Sequence, residues 1–327
     1  ALLLEPTRSN LVLTSASGTY GNPPASETNT ISPDGTNNAV IPIPNDTADR
    51  YQYIISSGAY ATNTKLAYSW YRKRISTPID ESYIGDLRAT GINLTHVGDT
   101  EQIESNINGY DRFVSIINIT DGSATTTIRF YFGNSIGVGN SSVAYWGHQL
   151  EVGSYATSYI PTQGSAVTRI ADVCNNGGNE QVINSTEGVL YVETKGFTDL
   201  LTQSNYIQLS KNGESSATNS LIIQHRNNGS LRVYVNSFST SADIQFNVNI
   251  DFTENHKIAV LYKLNGYKLF IDGVAQSLYL TPTQPVFSGL DNLSFDLRGA
   301  LGWSGSVKDA RVYNTALTDA ELIALTT

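Results

Sequence analysis

Glu101 and Glu104, three residues apart in EQIES, come nearest in this 327-residue chain to the paired acids of glycoside hydrolysis. That chemistry needs both carboxyls facing one bond. The segment has no clear strand period, so a solvated loop is the expectation. A second set, Gln208, Lys211, Gln224, His225 and Arg226, lies on two strand-like segments, YIQLSKNG and LIIQHRNNG. A basic-plus-imidazole set of this kind serves polysaccharide lyases, but no companion motif accompanies it, and His225 reads as an ordinary residue at a strand end. Cys174 is the single cysteine, so no intramolecular disulfide or thiolate zinc cage is available. His96, His148, His225 and His256 are scattered without metal-ligand spacing. Neither a Gly-x-Ser-x-Gly elbow nor a Walker loop occurs. The expectation is a protein that is not an enzyme.

Sugar binding needs other residue types: aromatic faces against C–H groups, and planar polar side chains that match hydroxyl pairs. The chain holds 19 Tyr, 10 Phe and 3 Trp. Most must fill cores. Tyr71, Arg129 and Tyr131 alternate away from the apolar residues of their own strands. If those strands share a sheet, two rings and a guanidinium form a carbohydrate-binding platform or an interface anchor. A structural calcium ion is the one cofactor left open, with Asn45–Asp49 and Asn249–Asp251 as carboxylate-bearing loops and no spacing that selects either.

Charge limits the partners. The formal net charge is −9, and only 15% of residues are charged. A nucleic-acid partner would leave a basic stripe. YRKR at 71–74 is the nearest approach and reads as a solvated strand edge. No apolar run approaches the roughly 20 residues of a membrane span, so no membrane insertion is expected. The chain starts at Ala1 and contains no Met, which reads as a piece of a longer polypeptide.

The elements that must position any site are strands. Period-2 alternation separated by turn residues dominates both halves. In KLAYSWYRKR (65–74), Leu66, Tyr68 and Trp70 share one face, and Ser69, Tyr71 and Lys73 the other. DRFVSIINIT (111–120), TTIRFYF (126–132) and VAYWGHQL (143–150) follow the same rule. ADVCNNGGNEQ, near 170–180, has no apolar period and reads as a boundary. Beyond it come GVLYVETKG, NYIQLSKNG, NSLIIQHRNNG, SLRVYVNS, HKIAVLYKLNG and YKLFIDGVAQ. Asn228-Gly229, Asn265-Gly266 and Asp272-Gly273 predict tight hairpins with φ > 0 at both turn residues. Thr318-Asp319-Ala320-Glu321 is a capping box that opens a short helix, 319–325. The fold class is all-β: two antiparallel β-sandwich domains, 1–173 and 180–327, with one short C-terminal helix.

Segments of residues 1–173, in order, resemble a carbohydrate-binding-module-like jelly roll found in bacteriophage fibre and other virion structural proteins. They are LLLEPTRSNLVLTS, SPDGTNNAV, YQYIISS, YSWYRK, YDRFVSIINIT, TTIRFYF and YWGHQLEVGSYATSYIPT. The chain has Tyr110 where that family more often has Trp after the Gly. Residues 180–327, through YKLFIDG and LGWSGSVKDARVYNTALTDAELIAL, resemble a concanavalin-A-like, laminin-G-type sandwich. The resemblance implies a non-enzymatic virion fibre or appendage on the virion surface. It would adhere to cell-surface or environmental polysaccharide, contact other virion proteins and form a homo-oligomer, trimeric by analogy. A secreted bacterial carbohydrate-binding protein and a polysaccharide lyase or hydrolase are the alternatives. Glu5, Arg8, Glu151 and Arg169 fall in the opening and closing motifs, where ion pairing would tie the first domain's ends together.

Overall fold

Alternation turns into sandwiches because a half-apolar sheet must bury that half against another layer. The computed structural model describes residues 2–16, 19–20, 27–42, 51–55, 60–75, 86–90, 94–122, 127–131, 143–197, 204–212, 219–237, 240–277, 287–297 and 301–327. Every described strand pair is antiparallel. The chain forms two units, residues 8–169 and residues 1–7 with 170–327. The second unit thus takes the first strand, β1 (Leu2–Leu4), which pairs with the strand Gly305–Tyr313. Residues 1–173 were expected as one domain. The exception arises because Leu4 is an apolar side chain that the C-terminal core buries to 3% exposure.

The N-terminal unit contains β2 (Arg8–Asn10), β3 (Thr19–Tyr20), β4 (Glu27–Thr30), β5 (Ala39–Pro42), β6 (Tyr51–Ile55), β7 (Lys65–Arg74) and β8 (Asp86–Thr90). It continues with β9 (Leu94–His96), β10 (Glu101–Ile107), β11 (Tyr110–Ile119), β12 (Thr127–Tyr131), β13 (Val143–Val152) and β14 (Val167–Arg169). One sheet runs β10-β11-β7-β13-β5-β4, with β9 also on β11; a second runs β3-β6-β12-β8, and β14 pairs β2 in a two-stranded sheet. Leu66, Tyr68, Trp70, Phe113, Ile117, Ile128 and Phe130 meet in one core, as the alternation predicted. EQIES differs from its expectation. It is part of edge strand β10, whose side chains are nearly all exposed, so no apolar period marks it.

Opening and closing motifs interlock through Asn10, which is fully buried. Its amide N–H₂ donates to the carbonyls of His148 and Ile160, and its oxygen accepts from the N–H groups of Val12 and Leu150. Three of the four bonds link segments 138 to 150 residues apart; the one to Val12 is local.

The C-terminal unit contains β15 (Glu187–Gly196), β16 (Asn205–Ser210), β17 (Ser220–His225), β18 (Ser230–Ser237), β19 (Thr240–Asn249) and β20 (His256–Lys263). They are followed by β21 (Lys268–Ile271), β22 (Val274–Gln276), β23 (Asn292–Ser294), β24 (Gly305–Tyr313) and α1 (Asp319–Thr326). Its sheets run β1-β24-β15-β20-β21-β22 and β19-β18-β17-β16-β23. Leu190, Val192, Ile207, Leu221, Ile223, Val233 and Val260 fill the space between them. The opposite side of the six-stranded sheet is covered too: Leu322 of α1 packs on Val189, Tyr191, Leu261 and Phe270. The helix starts at the predicted box, with Thr318 accepting from the Glu321 N–H and Glu321 accepting from the Thr318 N–H. Among the three hairpin pairs, only Asp272-Gly273 has both φ values positive, 48° and 79°. At Asn228-Gly229 only the glycine is left-handed, because the Gly229 N–H bonds the Arg226 carbonyl and the turn is one residue longer. At Asn265-Gly266 only Asn265 is left-handed.

Candidate functional site

The expected platform of Tyr71, Arg129 and Tyr131 does not assemble. Tyr71 is on β7 of the larger N-terminal sheet; Arg129 and Tyr131 are on β12 of the other. Alternation fixes which way a strand faces, but not which sheet it joins. Tyr71 is also only 6% exposed, because its own chain covers it. The segment after β13 folds back over that face. Tyr159 lies 4.5 Å from the Trp146 ring and edge-on to Tyr71 at 6.2 Å. Gly147 sits at a register shift in β13 with φ +66°, and a Cβ there would stand 2.6 Å from Tyr71.

Glu151, fully buried, holds this returning segment. Its carboxylate accepts from the Thr157 N–H, the Thr157 hydroxyl and the Gln149 amide. Gln149 in turn accepts from the Ile160 N–H and donates to the Thr157 carbonyl. Arg8 and Arg169 stand opposite each other in the β2–β14 ladder, with Arg8 5.0 Å over the Tyr155 ring. Glu5 belongs to the C-terminal unit, where its N–H donates to Asp172.

Beneath the returning segment is a polar cluster that sequence reading missed. Arg112, 1% exposed, donates to Glu104, to the Ser69 hydroxyl and to the Thr157 carbonyl. The Tyr71 hydroxyl donates to the same Glu104. Burial pushes the Tyr71 phenol up to about 12; Arg112 opposes that and Glu104 adds to it. Glu104 is therefore an ion-pair partner of Arg112. The cluster braces the sheet, with Arg112 Nε left without a hydrogen-bond partner.

A different surface carries unused polar valence: the side of the five-stranded sheet facing away from the C-terminal core. Ile207 and Leu209 of β16, Leu221 and Ile223 of β17, and Leu231, Val233 and Val235 of β18 point into that core. By strand alternation the outward positions are Tyr206 and Gln208, Ile222 and Gln224, Arg232 and Tyr234, with Asn292 and Ser294 on β23. Register places them in rows. Tyr206 is opposite Gln224, which is opposite Arg232; Ser294 is opposite Gln208, then Ile222, then Tyr234. The Gln224 amide donates to the Tyr206 hydroxyl at 3.0 Å, fixing which end of the amide faces outward. Gln224 Oε1, Asn292 Oδ1 and Arg232 Nε are buried without a hydrogen-bond partner. Leaving such atoms unsatisfied costs on the order of 1–3 kcal/mol each; the face is largely buried, with Tyr206, Gln208, Ile222, Gln224, Asn292 and Ser294 all buried and Arg232 and Tyr234 half-buried.

The set Gln208, Lys211, Gln224, His225 and Arg226 is split by the same geometry. Gln208 and Gln224 face outward, while His225 shares the core-facing parity of Ile223 and stacks on Phe252 at 3.7 Å. Its ring lies against Gly196, where a Cβ would come within 3.0 Å of Nδ1. Burial pushes the imidazole down to about 4, which keeps it neutral at physiological pH. Among the described residues, no group of three or more His, Cys, Asp and Glu stands together to hold a metal ion. Asn45–Asp49 lie outside the described residues. Asp251 caps its own turn by accepting from the Thr253 N–H.

Residues 197–323 match a family model described as the concanavalin A-like lectin/glucanases superfamily, in agreement with the sandwich seen here. No curated protein matches the chain. Among solved structures, the CBM40 of Ruminococcus gnavus IT-sialidase bound to α2,3 sialyllactose is 17% identical, with TM-score 0.38 over 44% of this chain and 84% of its own. A leech intramolecular trans-sialidase is 17% identical, with TM-score 0.37 over 44% of this chain and 23% of its own. The heptameric SAP-like pentraxin of Limulus polyphemus is 12% identical, with TM-score 0.36 over 47% and 74%. Likeness at these values does not carry those proteins' ligands to this chain.

Proposed function

We propose that the chain is a non-catalytic glycan-binding protein and that it binds on the outward face of β16–β19 and β23. One observation carries this reading: an outward polar face, buried apart from half-buried Arg232 and Tyr234, on which Gln224 Oε1, Asn292 Oδ1 and Arg232 Nε have no hydrogen-bond partner, in a sandwich whose other sheet packs on α1. Sugar hydroxyls supply both donors and acceptors. An amide oxygen, a guanidinium and a phenol in one row, on adjacent strands about 5 Å apart, offer complementary partners. The Tyr234 ring, with Arg232 stacked 4.3 Å from its centroid, adds a flat surface for C–H groups.

A glycan array with the intact chain tests the proposal, run beside Gln224→Ala. Removing the acceptor should weaken binding by about tenfold, corresponding to about 1.4 kcal/mol. Equal binding by the variant at an unchanged melting temperature would refute the site. The setting we propose for this activity is a virion surface appendage: extracellular, homo-oligomeric and possessing other virion proteins as partners. The resemblance of residues 1–173 supports it, and a solution mass equal to that of a monomer would count against the oligomer. The non-catalytic part fails if the chain depolymerises a polysaccharide and a change at His225 abolishes that activity.

A further inference from the structure

Gln149, Glu151 and Thr157 meet where the segment after β13 returns over the sheet, and all three are buried, at 0%, 0% and 1% exposure. Gln149 and Glu151 are two residues apart in a regular stretch of β13, so strand alternation puts both on one face. The Glu151 carboxylate spans two reactive groups. Its Oε1 accepts from the Thr157 hydroxyl at 2.5 Å, and its Oε2 accepts from Gln149 Nε2 at 2.7 Å and from the Thr157 N–H at 2.9 Å. These donors are neutral, and a carboxylate sealed among neutral donors is costly. The neighbours fix which way the Gln149 amide points. Its Nε2 also faces the carbonyls of Thr157 and Ser158, and its Oε1 accepts from the Ile160 N–H at 2.6 Å. One carboxylate thus touches both a hydroxyl and the nitrogen of a carboxamide, while a backbone N–H holds that carboxamide's oxygen.

We infer that Thr157 and Gln149 join in an intramolecular ester, made by the chain itself with Glu151 as base and then acid. Thr157 Oγ1 adds to Gln149 Cδ, and Glu151 takes the hydroxyl proton. The carbonyl electron pair moves onto Gln149 Oε1, where the Ile160 N–H stabilises the charge. The pair then returns, the Cδ–Nε2 bond breaks, and Glu151 gives its proton to the departing nitrogen. Ammonia leaves, Glu151 is a carboxylate again, and an Oγ1–Cδ ester bond has replaced the amide. Nothing is oxidised or reduced, and no other reactant is consumed. Burial serves the step twice: it holds the groups within reach of one another and excludes the water that would hydrolyse the ester. The bond pins Thr157, and with it the segment that covers Tyr71, to β13. It forms once per chain and is independent of glycan binding.

Mass spectrometry tests this on the intact chain. The folded protein, held at neutral pH until its mass stops changing, should be lighter than its sequence by one ammonia. The tryptic peptide 130–169 should carry that loss and give no backbone fragments between Gln149 and Thr157. Thr157→Val and Glu151→Gln should each keep the full mass. Thr157→Ser, which retains a hydroxyl, should still lose the ammonia. A native chain at full mass, with ordinary fragments between 149 and 157, would overturn the inference whether or not the variants fold. So would a loss that maps to a different Asn or Gln, or one at Gln149 that persists in Thr157→Val.

Discussion

Acidification should destabilise the N-terminal sandwich through His148. This residue lies on β13, is 1% exposed, and its Nδ1 is 2.6 Å from the Tyr68 hydroxyl. Burial pushes its pKa down from the ordinary 6.5 to about 3. The unfolded chain therefore takes up the proton first, near pH 6.5, while the folded chain stays neutral. Stability from this group is complete above pH 6.5 and is lost steadily as pH falls towards 3. At pH 5 the unfolded state has gained about 1.5 pH units of protonation free energy, about 2 kcal/mol. In a unit of this size that corresponds to a fall of about 4–8 °C in the melting temperature. Calorimetry at pH 7 and pH 5 gives the total, and ring-proton NMR isolates the residue. The His148 signal should show no titration between pH 7 and pH 4.5 in the folded protein. An ordinary midpoint near 6.5 would refute the reasoning, because the ring would then be hydrated or paired in its charged form.

Three further outcomes follow from the packing. Leu4→Ala should lower the unfolding transition of the C-terminal unit by about 2–4 kcal/mol and leave the N-terminal one in place; denaturant melts of both transitions check which unit owns the strand. Asn10→Ala strips partners from buried carbonyls of His148 and Ile160 and buried N–H groups of Val12 and Leu150, and should cost at least about 2–3 kcal/mol in the N-terminal transition. Thr318→Ala removes the N-cap of α1 and should cost about 1 kcal/mol in the C-terminal transition, read by thermal unfolding.

Strong local patterns were legible in the sequence. Lys65–Arg74 was read to the residue because its alternation is uninterrupted and both its neighbours in the sheet bury it. The helix was legible because a capping box is a local signal. Non-local facts were not. Nothing in ALLLEPTRS shows that Leu2–Leu4 would join β24, three hundred residues on. Edge strand β10 buries no face, so it wrote no period. Tyr71 was identified correctly as facing away from the core, but the returning segment that covers it is set by Gln149 and Glu151, whose bonds leave no pattern in the chain. In the sequence, Gln208 and Gln224 stood out only as members of a basic-plus-imidazole set. The usable signal was that consecutive strands put Tyr, Gln and Arg at their outward positions, where solvent-facing strands more often carry Thr, Lys or Glu.

Amide chemical-shift mapping tests the central claim most directly. The isotope-labelled chain is titrated with the strongest glycan from the array. Shifts should concentrate on β16, β17, β18 and β23, around Gln208, Gln224, Arg232 and Asn292, with the N-terminal unit unmoved. Shifts centred instead on the N-terminal sheet around Tyr71 and Trp146, or on the α1 side of the C-terminal sandwich, would contradict the account.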